Sequence, residues 1–254
     1  MAGRCKIIQH YAGGVAEAYW TPDVDVLIVD TVQREAFSHV PRDKMVTRNQ
    51  CCDIDFFKPI VSDYKFDCIM AGGFYASKGQ DIIVDIFKDT PISVLFAGAQ
   101  KSNTGETTQE FINTINYYNG LKNKKLSACF QDFVHPSKMP DIYNSANVFV
   151  WGSRWSIENP ITLTNRSVVE AVACGLPFVA FRQTFQNSNF VKDGVNAILV
   201  DNDNDFWRSV ITLVEDDSFR LKYSQASRQI AIEELDFKKW HDQFYMDLYG
   251  SILR

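Results

Sequence analysis

Charged residues stand beside two predicted helix starts in this chain, one at Arg166 and one at Lys78. Arg166 directly precedes a predicted helix, where the helix dipole disfavours a cation unless an anion is bound there. Lys78 lies in a loop, residues 72–79, that follows a predicted strand and is bounded by glycines. In α/β proteins, such loops at the carboxyl ends of strands bind phosphorylated ligands. These residue types in these positions predict a phosphate-binding site.

The stretch 148–181 supplies the elements that would position Arg166. Its sequence predicts a short buried strand at 148–151, a long polar loop, a helix from Ser167 and a second strand at 178–181. Ser167 is a candidate N-cap with Glu170 three positions later, which is the capping-box spacing. Glu170 is therefore either a capping residue or a ligand-binding one. Gly175 is suited to a left-handed C-cap, and Pro177 prevents the helix from continuing.

From residue 61 to 235, short apolar strands alternate with helices. The predicted strands are 67–71, 93–98, 128–134, 148–151, 178–181 and 197–200, and the predicted helices are 80–88, 107–119, 138–145, 167–174, about 187–192, 205–215 and 218–234. Six short strands, each followed by a helix, predict an α/β Rossmann-like domain with a six-stranded parallel sheet.

Two further regions flank this predicted domain. Residues 1–60 predict a short, partial N-terminal α/β region with strands at 5–9, 23–30 and 45–47 and a helix at 32–37. Residues 236–254 predict one C-terminal helix with an aromatic stripe. This helix either crosses back to the N-terminal region or caps its own domain.

Composition excludes several classes of protein. The 254 residues carry a formal net charge of −5 without a basic run, which argues against nucleic acid as the main partner. No apolar stretch reaches the length of a membrane span, and we expect a cytoplasmic protein, at most peripheral to a membrane. The six cysteines form no C-x-x-C pair and predict reduced thiols.

The run Glu-Ala-Val-Ala-Cys-Gly-Leu-Pro-Phe-Val-Ala from Glu170 resembles the Glu-Ala-x-Ala-x-Gly-x-Pro-Val-Val-Ala signature of family 4 (group 1) glycosyltransferases. These are retaining, nucleotide-sugar-dependent enzymes with the GT-B fold. The resemblance implies that Glu170 binds the donor ribose, since a carboxylate can accept two hydrogen bonds from a vicinal diol. It also implies transfer of a sugar from a UDP- or GDP-sugar to an acceptor hydroxyl of a glycan, lipid or small molecule, with retention and without a metal or other cofactor.

The loop 72–79 resembles the Gly-Arg-x-x-x-x-Lys-Gly motif of the same family. Gly72 and Lys78 keep their places, but Gly73 replaces the arginine. The resemblance implies that Lys78 stabilises the leaving diphosphate. We expect the second cation to come from another residue, such as Arg154 or Arg166.

The loop before Glu170 departs from the family pattern. The family has a second glutamate eight positions upstream, where this chain has Thr162, so Glu158 is the candidate for the sugar-binding role. Asn165 and Arg166 resemble a variant pair that binds sugar hydroxyls or phosphate, and Ser167 completes this predicted donor-binding group.

Two histidines are further candidates by the same resemblance. His10 follows the first strand, where family members place a histidine that reaches the donor sugar, and His135 could stack on the nucleobase. The alternative for His10 is an ordinary turn residue.

Three alternatives differ in how well the sequence supports them. Residues 201–205 contain Asp-x-Asp twice, a pattern that can hold a divalent metal, but they follow the last strand at a turn that relatives also have, so no metal site is expected. The N-terminal region matches only the end of a family acceptor domain. The chain could therefore be a nucleotide-sugar-binding subunit that a partner chain or a second copy completes. A phosphorylase or epimerase on the same fold is the third alternative.

Overall fold

The computed structural model describes residues 7–10, 24–30, 37, 39–48, 50–61, 64–75, 78–101, 107–122, 124–154, 166–185 and 188–252. Glu158, Asn165 and most of the predicted helix 32–37 lie outside these residues, as does the body of the long polar loop.

The described strands form two parallel sheets. Three strands, in the order β1-β2-β3, form a small sheet: β1 (Ile8–His10), β2 (Val26–Asp30) and β3 (Met45–Arg48). Six strands form the larger sheet: β4 (Phe66–Ala71), β5 (Ser93–Ala97), β6 (Ser127–Gln131), β7 (Ala146–Trp151), β8 (Phe178–Phe181) and β9 (Ala197–Val200). Their order is β6-β5-β4-β7-β8-β9, with every pair parallel. The predicted six-stranded parallel sheet is confirmed.

Helices cover both faces of the larger sheet. The described α-helices, of which the last packs elsewhere, are α1 (Gln80–Phe87), α2 (Gln109–Gly120), α3 (Met139–Tyr143), α4 (Arg166–Ala173), α5 (Arg182–Phe185), α6 (Asp203–Glu215), α7 (Asp217–Ile230) and α8 (Phe237–Ile252). Strands β4 to β6 progress in one direction and β7 to β9 in the other, so right-handed crossovers place their helices on opposite faces. Accordingly, α1 packs against α2 and α6, whereas α4 packs against α7.

The strand order reverses between β4 and β7, which makes this pair the topological switch point of the sheet. Both strands are largely buried, because helices cover both faces of the sheet. Their sequences are accordingly almost continuous apolar runs. At the carboxyl end of β7, Trp151 stacks on Phe149, and Phe149 stacks on Phe178 of β8. The loops that leave β4 and β7 therefore start from a rigid aromatic core.

The C-terminal helix α8 packs against the small sheet. Leu248 forms a buried cluster with Val26, Ile28 and Val46, and Phe244 packs on that cluster. The helix thus contacts the N-terminal region, and its role as a crossover helix stays a prediction. Among the described helices, none is both long enough and apolar enough to span a membrane.

One predicted helix is wrong. The helix expected at about 187–192 is found instead at Arg182–Phe185, directly after β8. Residues 188–192 are non-helical because side chains bind their backbone: the Ser188 hydroxyl accepts from the Val191 N–H, and Asn196 Oδ1 accepts from the Lys192 N–H.

Candidate functional site

Two loops meet at the switch point through their glycines. A Cβ atom on Gly79 would lie 2.4 Å from the backbone carbonyl of Gly152, and one on Gly152 would lie 2.1 Å from the Gly79 oxygen. Gly79 also has a φ of 81°, which L side chains rarely adopt, and it is the N-cap of α1. Glycine at both positions lets the loop after β4 touch the loop after β7.

The start of the loop 72–79 extends the sheet and leaves one N–H group available. The N–H groups of Gly72 and Phe74 donate to the carbonyls of Ala97 and Ala99 on the β5 side. A Cβ on Gly98 would lie 1.9 Å from the Gly72 oxygen, so that carbonyl also faces the β5 side. A trans peptide then directs the Gly73 N–H away from β5, toward β7. This N–H has no hydrogen-bond partner within the described residues and is suited to an anion.

Gln80, the first residue of α1, holds this loop through hydrogen bonds, and sequence reasoning missed it. Its side chain is 3% exposed, and its Nε2 donates to the Gly73 oxygen at 3.0 Å and to the Gly72 oxygen at 3.5 Å. The only signal in the sequence was a polar residue at the first position of an amphipathic helix. The amide holds both carbonyls inward, which keeps the orientation of the peptide that carries the Gly73 N–H.

Lys78 lies over the end of β7. Its Nζ is 5.1 Å from the centre of the Trp151 ring, a cation–π contact. Burial lowers the pKa of Lys78 from 10.5 to about 8. The Trp151 indole N–H is buried and has no hydrogen-bond partner in the described part of the chain. Because burial removes water from the Lys78 ammonium, an incoming anion would stabilise its charged form.

Glu170 projects from α4 toward α3. Its Oε2 accepts a 2.8 Å hydrogen bond from the hydroxyl of Tyr143, a fully buried residue. Burial raises the pKa of Glu170, while the Tyr143 hydrogen bond and the Arg166 charge oppose that rise. Within the residues that the structure describes, Oε1 accepts no hydrogen bond. One oxygen is thus anchored and the other is available to a ligand.

The predicted capping box is wrong. Helix α4 begins at Arg166, so Ser167 is its second residue and cannot be its N-cap. Glu170 is the fifth residue of α4, two positions further into the helix than expected, and it binds Tyr143 instead of the helix start. The structure therefore removes the alternative in which Glu170 only caps the helix.

The remaining predicted residues are not all brought together. Arg166 is exposed at the start of α4, close enough to Glu170 to affect its pKa, and Ser167 is half-buried beside it. His135 follows the edge strand β6, with β5 and β4 between it and β7; its Nδ1 lies 2.8 Å from the Ser137 hydroxyl. His10 ends β1 in the small sheet. The roles of these residues stay predictions, as do those of Glu158 and Asn165.

Arg154 and the acidic turn 201–205 form local contacts. Arg154 pairs with Asp203 and lies over the Phe181 ring, with its guanidinium 4.6 Å from the ring centre. Asp201 pairs with Arg182, and Asn202 caps α6 by accepting from the Asp205 N–H. These contacts give the acidic turn a structural role. Among the described residues, no group of three or more His, Cys, Asp or Glu side chains is arranged to hold a metal.

Solved structures of low sequence identity share this architecture. Sucrose-phosphate synthase from Thermosynechococcus elongatus matches 90% of the chain at 18% identity with a TM-score of 0.71. Anabaena HepE in complex with UDP matches 96% at 17% identity with a TM-score of 0.74, and a glycosyltransferase from Rickettsia africae matches 97% at 13% identity with a TM-score of 0.73. The chain spans 59%, 72% and 70% of these three proteins.

These likenesses define the fold as a GT-B-type, Rossmann-like one. No curated protein matches the chain by sequence. The model of the family described as glycosyl transferases group 1 matches residues 65–216, more than half of the chain. The chain therefore belongs to the glycosyl transferases group 1 family.

Proposed function

We propose that this protein is a glycosyltransferase that moves a sugar from a nucleotide-diphosphate sugar to an acceptor hydroxyl. One observation carries the proposal: the family match spans both Lys78, which lies over Trp151, and Glu170, which is hydrogen-bonded to Tyr143. Both belong to loops or helices that follow β4 and β7, the two strands of the switch point. Ligands of open α/β sheets bind at such points.

Each group has one task in the proposed donor complex. The ammonium of Lys78 and the N–H of Gly73 bind the diphosphate, whose negative charge grows as the glycosidic bond breaks. Arg166 supplies the second cation, in place of an arginine at position 73. Glu170 accepts hydrogen bonds from the ribose diol through the oxygen that Tyr143 leaves available.

We propose a UDP-sugar as the first donor to test, because the solved structures of HepE hold UDP and UDP-glucose. We further propose that the reaction retains the anomeric configuration and needs no metal. The acceptor hydroxyl would attack from the face that the diphosphate leaves and give its proton to the departing phosphate oxygen. We propose this route rather than one through a covalent glycosyl-enzyme intermediate.

The test is a transfer assay with UDP-glucose and GDP-sugars, with and without EDTA, against glycan, lipid and small-molecule hydroxyl acceptors. Transfer that survives EDTA and yields the donor's anomeric configuration by proton NMR supports the proposal. Phosphate-dependent cleavage would instead identify a phosphorylase, and sugar isomerisation without transfer would identify an epimerase. Loss of transfer in EDTA would contradict metal independence.

The second candidate is a nucleotide-sugar-binding subunit that acts with a partner chain or a second copy. It requires the same donor site, because Lys78, Arg166 and Glu170 all lie within the family match. Its signature is UDP binding with no hydrolysis or transfer by the isolated chain.

A further inference from the structure

We propose that Tyr143 is a positioning residue of the donor site, which orients the Glu170 carboxylate so that Oε1 faces the ribose hydroxyls. The inference rests on the proposed function of Glu170 and extends it to a residue outside the motif. It starts from the 2.8 Å hydrogen bond between the Tyr143 hydroxyl and Glu170 Oε2.

The ring of Tyr143 is held on several sides. It has no exposed surface, and its centre lies 6.2 Å from that of Phe149 and 6.3 Å from that of Phe57. A phenylalanine would fill the same space. The hydroxyl is therefore the one feature of this side chain that packing does not explain, and within the described residues its partner is Glu170.

The backbone that carries Tyr143 is fixed as well. The side chain of the next residue, Asn144, donates to the carbonyls of Lys58 at 3.0 Å and Pro140 at 2.8 Å and accepts from the Ile60 N–H at 2.8 Å. Asn144 is buried, so these bonds form out of water, where they are strong. Tyr143 is thus a rigid donor, and the more exposed Glu170 side chain must adapt to it.

The same hydrogen bond affects the charge of Glu170. The titratable groups that face this carboxylate are Tyr143 on α3, Arg166 on α4, Cys174 directly after α4, and Cys52 in the segment before β4. Arg228 on α7 acts on both thiols. Burial raises the pKa of both thiols, that of Cys52 to about 12, so they stay neutral near pH 7. Loss of the Tyr143 hydroxyl would therefore raise the pKa of Glu170 further. A protonated Glu170 accepts fewer hydrogen bonds, and donor affinity would fall at a higher pH than in the wild type.

The experiment is calorimetric titration of the full chain with UDP between pH 5 and 8, for wild type, Tyr143→Phe, Glu170→Gln and the double variant. We expect Tyr143→Phe to weaken UDP binding roughly tenfold at pH 7.5, since a hydrogen bond to a charged group is lost. We also expect it to raise the pH at which affinity is half lost. In the Glu170→Gln background the same substitution should change affinity less than about twofold.

Tyr118→Phe is the matched control. Its hydroxyl is hydrogen-bonded as well, but to backbone beside β6: it donates to the Leu126 carbonyl at 3.3 Å and accepts from the Ala128 N–H at 3.2 Å. Equal weakening by both tyrosine variants, an unmoved pH midpoint, or an equal effect in both Glu170 backgrounds would overturn the role of Tyr143 alone. Failure of folded wild type to bind UDP would overturn the proposed donor site and this inference together.

Discussion

The ammonium of Lys78 makes donor binding dependent on pH above neutrality. Its pKa is lowered to about 8 because the group is largely buried, over the Trp151 ring. The difference from the ordinary value of 10.5 corresponds to roughly 3 kcal/mol of lost solvation. A bound diphosphate supplies negative charge next to this group, which restores a high pKa.

The sign of the effect follows from linkage. Free protein loses the Lys78 proton as pH rises through about 8, whereas bound protein keeps it, so affinity falls as pH rises. If the bound pKa returns to about 10.5, UDP affinity should fall roughly 20-fold between pH 7.5 and 9.5. At pH 8, binding should take up about half a proton per site.

Calorimetry in two buffers of different ionisation enthalpy measures both quantities. Lys78→Arg is the control, because a guanidinium does not deprotonate in this range and should give a nearly flat profile. Lys78→Met should bind UDP weakly, and equally so at every pH. A flat wild-type profile, or the same decline in Lys78→Arg, would refute the assignment of Lys78 to the diphosphate.

Three further substitutions test the supports of the site. Gly98→Ala places a Cβ 1.9 Å from the Gly72 oxygen and should lower the free energy of unfolding, measured by urea denaturation, by about 3 kcal/mol. Gly120→Ala, at an open position, should not lower it. Equal effects of the two substitutions would show that the close approach of Gly98 to Gly72 does not matter for stability. Gln80→Leu leaves two loop carbonyls unpaired and should lower the free energy of unfolding by about 1–3 kcal/mol and weaken UDP binding; unchanged binding would contradict the role of the loop. Because burial raises the pKa of Glu170, its charge costs stability once pH exceeds that pKa, so Glu170→Gln should raise the thermal midpoint at pH 8 but not at pH 4; a lower midpoint at pH 8 would contradict the burial of the charge.

The larger sheet could be predicted because its strands are buried on both faces. Strands β8 and β9 have the predicted bounds, since their apolar runs end at clear polar residues. Strand β6 ends earlier than predicted, at Gln131, although two apolar residues, Phe133 and Val134, follow shortly after. It lies at the edge of the sheet, and its partner β5 ends at Ala97, which pairs with Gln131. Strand β6 therefore ends where its partner strand ends, which the apolar pattern of β6 itself does not show.

The candidate site was only partly accessible from sequence. Lys78 and Glu170 were predicted because the motifs around them resemble those of family 4 glycosyltransferases, and because glycine and proline mark the ends of the neighbouring elements. Tyr143 lies 27 positions from Glu170 and reads as an ordinary core aromatic. Gln80 acts on backbone carbonyls, which no side-chain pattern encodes. Supporting residues of this kind depend on how distant segments pack, so the structure was needed to find them.

The most direct test of the donor site is calorimetric titration of wild type and Glu170→Gln with UDP, first with EDTA and then with magnesium. Micromolar UDP binding that is equal in both buffers and at least tenfold weaker in Glu170→Gln is the predicted result. Binding that requires magnesium would contradict the metal-free site. Equal affinity of wild type and Glu170→Gln, or no binding by the folded chain, would contradict the assignment of Glu170 to the donor ribose.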